Sequence, residues 1–230
     1  MLVETTCSVC YNVSPSYQTM DDIGLDVDLA DSVDDALELF FAMKKLDAHQ
    51  QNAKNYFCQR CQVKVEAAQK WFILEAPKVV CVHLKRFDAL GNKIAKPVSF
   101  PSNLNINPYF KNRQTSINYN LSSITSHLGK TSGCGHYTAI CKSMGGSQYF
   151  QFNDANVSSI STEKVRQEKN AFLLFYEFIA NPQQTPITST DFTPLPKVPN
   201  PIISPLPKVT IASPPVKSTV SAPSTSKNSM

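Results

Sequence analysis

The sequence predicts an α+β fold, mainly antiparallel β, over residues 1–180, followed by a disordered tail over residues 181–230. Three observations lead there. Short apolar runs separated by turn residues recur along the first part, one segment repeats its apolar residues at helical spacing, and eleven of the sixteen prolines fall from Asn181 onward. That tail has one acid, Asp191, and four lysines, Lys197, Lys208, Lys217 and Lys227, among many Ser and Thr. Such a composition buries too little apolar surface to offset the entropy of ordering. The tail also repeats Pro194-Leu-Pro-Lys-Val198 as Pro205-Leu-Pro-Lys-Val209. Two copies are too few for a solenoid and suit a spacer or a polyproline-type ligand.

Cys7-Ser-Val-Cys10 opens the chain, and Cys58-Gln-Arg-Cys61 follows after forty-seven intervening residues. Each pair can present two thiolates from one tight turn, and two such knuckles together make a tetrahedral four-cysteine zinc site. Buried small hydrophobes are the alternative reading of the same residues. Between the knuckles, Ile23, Leu25, Val27 and Leu29 alternate with Gly24, Asp26 and Asp28, the period of a strand buried on one face. Ser32 with Asp35 three residues on starts a helix, along which Val33, Ala36, Leu37, Phe40, Met43 and Leu46 form an apolar stripe. Lys44 and Lys45 are placed near its end, opposite in charge to Asp34, Asp35 and Glu38 at its start, as the helix dipole favours.

Residues 64–74 and 79–87 read as strands broken at Ala76-Pro77. The second is apolar on both faces and therefore central, with His83 and Cys81 as packed residues rather than reactive ones. Gly91-Asn92 marks a turn, residues 97–100 a short strand, and residues 101–118, rich in Asn, Pro and Ser, a long loop. A second loop, Gly129 to Gly135, carries three glycines and is expected to be mobile. Then come Gly135-His136-Tyr137-Thr138-Ala139, the strand Tyr149-Phe150-Gln151-Phe152, the pair Asn153-Asp154 and the apolar run Ala171 to Tyr176. A histidine on a strand edge, followed by an amide and a carboxylate at the end of the next strand, is what a cysteine hydrolase needs. An imidazole takes the thiol proton, and an Asn or Asp fixes its tautomer. Polar strand ends without a reaction have the same spacing, so spacing alone leaves both readings open.

The formal charge is +4, of which the tail's four lysines and one aspartate supply +3. The remaining +1 over the body, without a basic stripe interleaved with aromatics, and the forty-seven residues between the knuckles argue against a zinc-ribbon nucleic-acid binder, the third reading of the chain. No run of eighteen apolar residues is present, so no membrane span is expected. The first residues lack the basic start and apolar core of a secretory signal. Seven cysteines then read as thiols of a reducing compartment, cytoplasmic or nuclear.

The segment Tyr119 to Gly129, then GHYTAICKS at 135–143, QYFQFNDANV at 148–157, AFLLFYE at 171–177 and KVVCVHLKRFD at 78–88 resemble the ubiquitin-specific proteases, papain-like cysteine deubiquitinases. The resemblance implies a papain-like fold with fingers and palm, zinc in the fingers on Cys7, Cys10, Cys58 and Cys61, and ubiquitin and ubiquitinated proteins as partners. It implies that His136 is the general base, Asn153 its orienting partner, and Asp154 a neighbour able to share that role. His127 matches a family position that is not the base, and the 101–118 loop lies beside the cleft for the ubiquitin tail. The family's Gly-Asn-Thr-Cys sequence, which carries its nucleophile and oxyanion donors, does not occur. The thumb is thus expected to be missing. Either the chain is a piece of an active deubiquitinase, or it is a non-catalytic ubiquitin-binding module.

Overall fold

The structure, a computed structural model, describes residues 1–46, 56–112 and 117–179. The chain divides into two units, Met1–Pro186 and Ile187–Met230, and the described residues all belong to the first. The disorder expected of residues 181–230 lies outside them, as do the two Pro-Leu-Pro-Lys-Val copies.

In chain order the elements are β1 (Leu2–Cys7), β2 (Val13–Tyr17), β3 (Ile23–Asp26), α1 (Val33–Phe41), β4 (Lys44–Lys45), β5 (Tyr56–Cys58), β6 (Val63–Val65), β7 (Ala67–Phe72), β8 (Val79–Lys85), β9 (Asn103–Leu104), β10 (Asn118–Thr131), β11 (Cys134–Lys142), β12 (Tyr149–Asn153), β13 (Asn156–Ile160), α2 (Thr162–Arg166) and β14 (Ala171–Ile179). An eight-stranded sheet runs β13-β12-β11-β10-β14-β8-β3, with β9 added beside β10. Its pairings are antiparallel except β3 with β8. A four-stranded sheet, β2-β1-β7-β4, and the hairpin β5-β6 carry the cysteine knuckles.

The alternation Ile23, Leu25, Val27 buries as expected, and α1 covers that region with Val33, Ala36, Leu37 and Phe41. The helix begins where the cap sequence places it, because the Asp35 N–H donates to Ser32 Oγ at 3.0 Å. It ends earlier than the apolar stripe predicts. Ala42 leaves helical backbone while its N–H closes on Glu38 O, Met43 is exposed, and Lys44–Lys45 form an edge strand against β7. Pairing with a sheet edge satisfies those backbone groups as well as another helical turn would, and the apolar period could not distinguish the two. Leu29 is likewise exposed, since β3 stops at Asp26 and the chain turns.

β8 is central, flanked by β14 and β3. Val80, Val82 and Leu84 are buried, but on the other face Val79 is open and Cys81 and His83 are half-covered. The strand expected over 64–74 is two, β6 and β7, because the chain breaks at Glu66 to pass from the hairpin into the larger sheet. Residues 97–100 make only a bridge, Ser99 with Ser32.

The segment after Pro101 is packed rather than loose. Leu104, Ile106, Phe110 and Ile117 are buried, and the Asn107 amide exchanges two hydrogen bonds with the Ile117 backbone, at 2.8 and 2.9 Å. Large buried tyrosines find carbonyl partners for their hydroxyls: Tyr119 on Pro77, Tyr149 on Leu121 and Tyr176 on Pro101. Burial pushes the Tyr119 phenol up to about 12.

Candidate active site and metal centre

β10 and β11 form the hairpin that carries His136. Its register pairs His127 with Tyr137 and Leu128 with His136, then shifts between Leu128 and Thr131. β12 pairs Phe152 with Ala139, so Asn153 follows opposite the Thr138 position, one diagonal from His136. Diagonal neighbours in an antiparallel pair are about 7–8 Å apart at the backbone, a gap that an imidazole and an amide together can span. They do so: His136 Nε2 lies 2.6 Å from Asn153 Oδ1. The amide oxygen only accepts, so Nε2 carries the hydrogen and Nδ1 is left with its lone pair. Asp154 follows in a left-handed conformation, φ 51°, in the turn into β13, and its Oδ2 is 3.8 Å from Nε2. The ring is partly open to solvent.

His83 stands apart from this pair. Its Nδ1 is 3.7 Å from Asp22 Oδ2 and its ring meets Phe172 edge-on. His127, in β10 of the same hairpin, is buried against Phe87 and Tyr137. Burial, with Lys93 nearby, lowers its pKa, which favours the neutral ring. Its tight neighbours correct the expectation of a mobile glycine loop. Residues 129–135 belong to the two strands and their tip. A Cβ on Gly135 would stand 2.2 Å from His127 Nε2, and one on Gly129 would stand 2.4 Å from the Cys134 carbonyl. Glycine is required there because backbone and ring are in contact, not because the segment must move. Two residues beside this site, Lys93 and Asn170, had no sequence motif to mark them. Lys93 Nζ donates to the His127 carbonyl and to Asn170 Oδ1.

All seven cysteines are free thiols. Cys81 and Cys141 are partly buried, which raises their pKa. Cys134 is exposed at the hairpin tip, two residues before His136 in the same strand. Among the described residues no thiol is hydrogen-bonded to His136.

The other four cysteines meet. Cys7, Cys10, Cys58 and Cys61 bring their sulfurs within 4.8 Å of one another. Cys7 and Cys61 are 3.9 Å apart and Cys10 and Cys58 3.6 Å. Four thiolates at about 2.3 Å from a tetrahedral ion would be separated by about 3.8 Å, so the spacing fits a closed four-sulfur site. The two knuckles have the same build. The residue after each second cysteine, Tyr11 and Gln62, is left-handed with φ 56° and 58°, and its N–H returns to the carbonyl of the first cysteine. Backbone N–H groups also point at sulfur, from Val9 and Cys10 to Cys7 and from Cys61 to Cys58. The Cys10 N–H, the largest influence, pulls the Cys7 thiol down to about 6, while the neighbouring thiols push Cys61 up to about 12. Four thiols this close cannot all ionise without a cation among them.

The antiparallel sheet, the paired histidine and amide and the four-thiol cluster define a class, and comparison with known proteins agrees. The family model "Ubiquitin carboxyl-terminal hydrolase" matches residues 4–176. "Ubiquitin carboxyl-terminal hydrolase 36" of Drosophila melanogaster is 35% identical over 178 residues, covering 76% of this chain and 16% of its own length. The Drosophila virilis protein of that name is 34% identical over 183 residues, covering 77% of this chain and 14% of its own. Among solved structures, the SAGA DUB module of Ubp8, Sgf11, Sus1 and Sgf73 bound to monoubiquitin aligns with a TM-score of 0.68 at 34% identity, over 78% of this chain and 40% of that one. The same module bound to ubiquitin aldehyde aligns at 0.66 and 32% identity, over 78% and 40%. The chain belongs to the ubiquitin carboxyl-terminal hydrolase family, as a ubiquitin-specific protease domain. It spans about one sixth of the Drosophila melanogaster relative's length. Among the described residues no helix is long and apolar enough to cross a membrane.

Proposed function

We propose that this chain supplies the base and its orienting partner for a cysteine deubiquitinase that hydrolyses the bond after the C-terminal glycine of ubiquitin. The bond of His136 Nε2 to Asn153 Oδ1 carries this reading. It leaves Nδ1 free to take a thiol proton as the sulfur attacks the carbonyl, and to return that proton to the departing amine. Asn153 holds the ring and stabilises the imidazolium through an oriented dipole. Asp154, at 3.8 Å, is a secondary acceptor.

The nucleophile comes from outside the seven cysteines of this chain. Four are gathered in one cluster, Cys81 and Cys141 are partly buried and raised, and Cys134 shares a strand with the base instead of facing it. The chain by itself therefore binds ubiquitin without turnover. A purely ubiquitin-binding role is the second reading, favoured by the same lack of a thiol at His136. Cys7, Cys10, Cys58 and Cys61 hold zinc in this proposal, and the ion joins β1 to the β5-β6 hairpin without touching the reaction. Free thiols suit the cytoplasm or nucleus.

Titration of isotope-labelled ubiquitin with the chain, alongside an assay on ubiquitin bearing a fluorogenic C-terminal amide, tests this. Binding with negligible hydrolysis is expected. Turnover that disappears in Cys134→Ala would overturn the assignment of the nucleophile, and an unperturbed ubiquitin spectrum would overturn the reading itself.

A further inference from the structure

Residues 88–93 make a tight turn beside the hairpin that carries His136. The Asp88 carboxylate accepts the N–H groups of Leu90 and Asn92, at 2.9 and 2.7 Å, and Gly91 takes φ 80°. The turn is joined to the hairpin by Lys93 N–H to Lys130 O and Ser132 N–H to Gly91 O, both 2.8 Å. From this base the Lys93 side chain runs inward. Its ammonium donates to the carbonyl of His127 and to Asn170 Oδ1, the latter at 3.0 Å. Asn170 in turn accepts the His127 N–H on its own backbone carbonyl at 3.1 Å. The His127 backbone is held on both sides. Burial lowers the Lys93 pKa, so this ammonium gives up hydration for these partners.

The ring of His127 has no such hold. Its Nδ1 is buried without a hydrogen-bond partner. Its place is set by packing against Phe87 and Tyr137 and by the backbone from which it projects. That place matters because Gly135 lies directly against the ring, and Gly135 is bonded to His136.

We infer that Lys93 is a positioning residue for His136, acting through the His127 backbone and the His127 ring on Gly135. The inference rests on the reading of His136 as the base. It assigns to Lys93 more than anchorage of its own turn: without the ammonium, the His127 carbonyl loses its donor, the ring shifts, and the Gly135-His136 peptide is released from the alignment that brings Nε2 to Asn153.

The test is imidazole NMR on the chain itself, with no activity required. Lys93→Met keeps the stem and removes the donor. It should speed exchange of the His136 Nε2 hydrogen and mix its tautomers, because the contact to Asn153 Oδ1 that holds that hydrogen is loosened. Lys85→Met, which removes an exposed ion pair to Asp26 on the same sheet, should leave the His136 signals unchanged. If Lys93→Met does not fold, Asn170→Ala removes the other end of the clamp while keeping the backbone carbonyl, and the same change is expected. A lowered melting temperature with the His136 tautomer and exchange unaltered, in whichever variant folds, would overturn the inference. Failure of the chain to bind ubiquitin would instead sink the functional reading and leave the imidazole result standing.

Discussion

His136 and Asn153 meet across a diagonal of two neighbouring strands, Nε2 to Oδ1 at 2.6 Å, with the Asp154 carboxylate 3.8 Å away in the following turn. The amide, not the acid, holds the ring. Its position follows from β-sheet register, which a one-residue slip would destroy by moving Asn153 to the opposite face.

From this contact comes the first expectation. In the chain joined to a nucleophile-bearing segment of the family, His136→Ala should lower kcat by roughly 10²- to 10⁴-fold, the usual contribution of a general base. Asn153→Ala should cost less, because the base survives and only its orientation is lost. Asp154→Ala alone should cost little, yet added to Asn153→Ala it should deepen the loss, since the carboxylate is the nearest remaining acceptor. Steady-state kinetics of the four variants decide this. A silent double substitution would show that the ring is oriented by other groups.

Elemental analysis of the folded chain should find one zinc, with Zn–S distances of about 2.3 Å by X-ray absorption. Chelation should unfold the knuckle region, since the ligands come from positions far apart in sequence. Protons compete with the metal for thiolates, so zinc should be released more readily as pH falls. A metal-free preparation that melts at the same temperature would contradict the assignment.

Gly135→Ala should strongly destabilise the hairpin, because the new methyl would stand 2.2 Å from His127 Nε2. His127→Ala removes that obstacle, so the double variant should regain part of the loss. Rescue stays partial because the Leu128 carbonyl is 2.8 Å from the same point. Gly129→Ala meets the backbone first, the Cys134 carbonyl at 2.4 Å and Gly135 Cα at 2.8 Å, with the His127 ring at 2.9 Å, and should therefore gain less from His127→Ala. Melting temperatures across these variants measure the coupling. Equal rescue of both glycine variants would mean that the ring is not the obstacle.

His127 also predicts a pH dependence. Burial, then Lys93, lowers its folded pKa below the ordinary 6.5. As pH drops through 6.5 the unfolded chain takes up a proton that the folded chain resists, so stability is full above that value and declines toward the lowered folded pKa. His127→Leu should flatten that part of the stability curve between pH 7 and 5. An unchanged slope would assign the pH response to other groups.

Much of this architecture is local and therefore legible in the chain. The Ser32 cap, the alternation of Ile23, Leu25 and Val27, the apolar β8 and the strands around His136 each express a period or a turn chemistry within a few residues. The two Cys-x-x-Cys pairs declare a common site because thiolates of this spacing serve few other purposes, and their sulfurs do converge.

What the sequence by itself determined was the strands at Ile23, at Val79 and around His136, the start of the helix, the two knuckles and the residue types of the His136 and Asn153 pair. Only the tertiary structure decided that α1 gives way to an edge strand at Lys44, that Leu104, Ile106, Phe110 and Ile117 pack into the core, and that Gly129 and Gly135 serve close packing instead of motion. It alone joined Lys93, His127 and Asn170, which are far apart in the chain. The physical reason is the same in each case. Periodicity and turn chemistry are short-range, whereas a sheet edge, a carbonyl without a donor or a ring without space is satisfied by whichever distant segment the fold brings beside it.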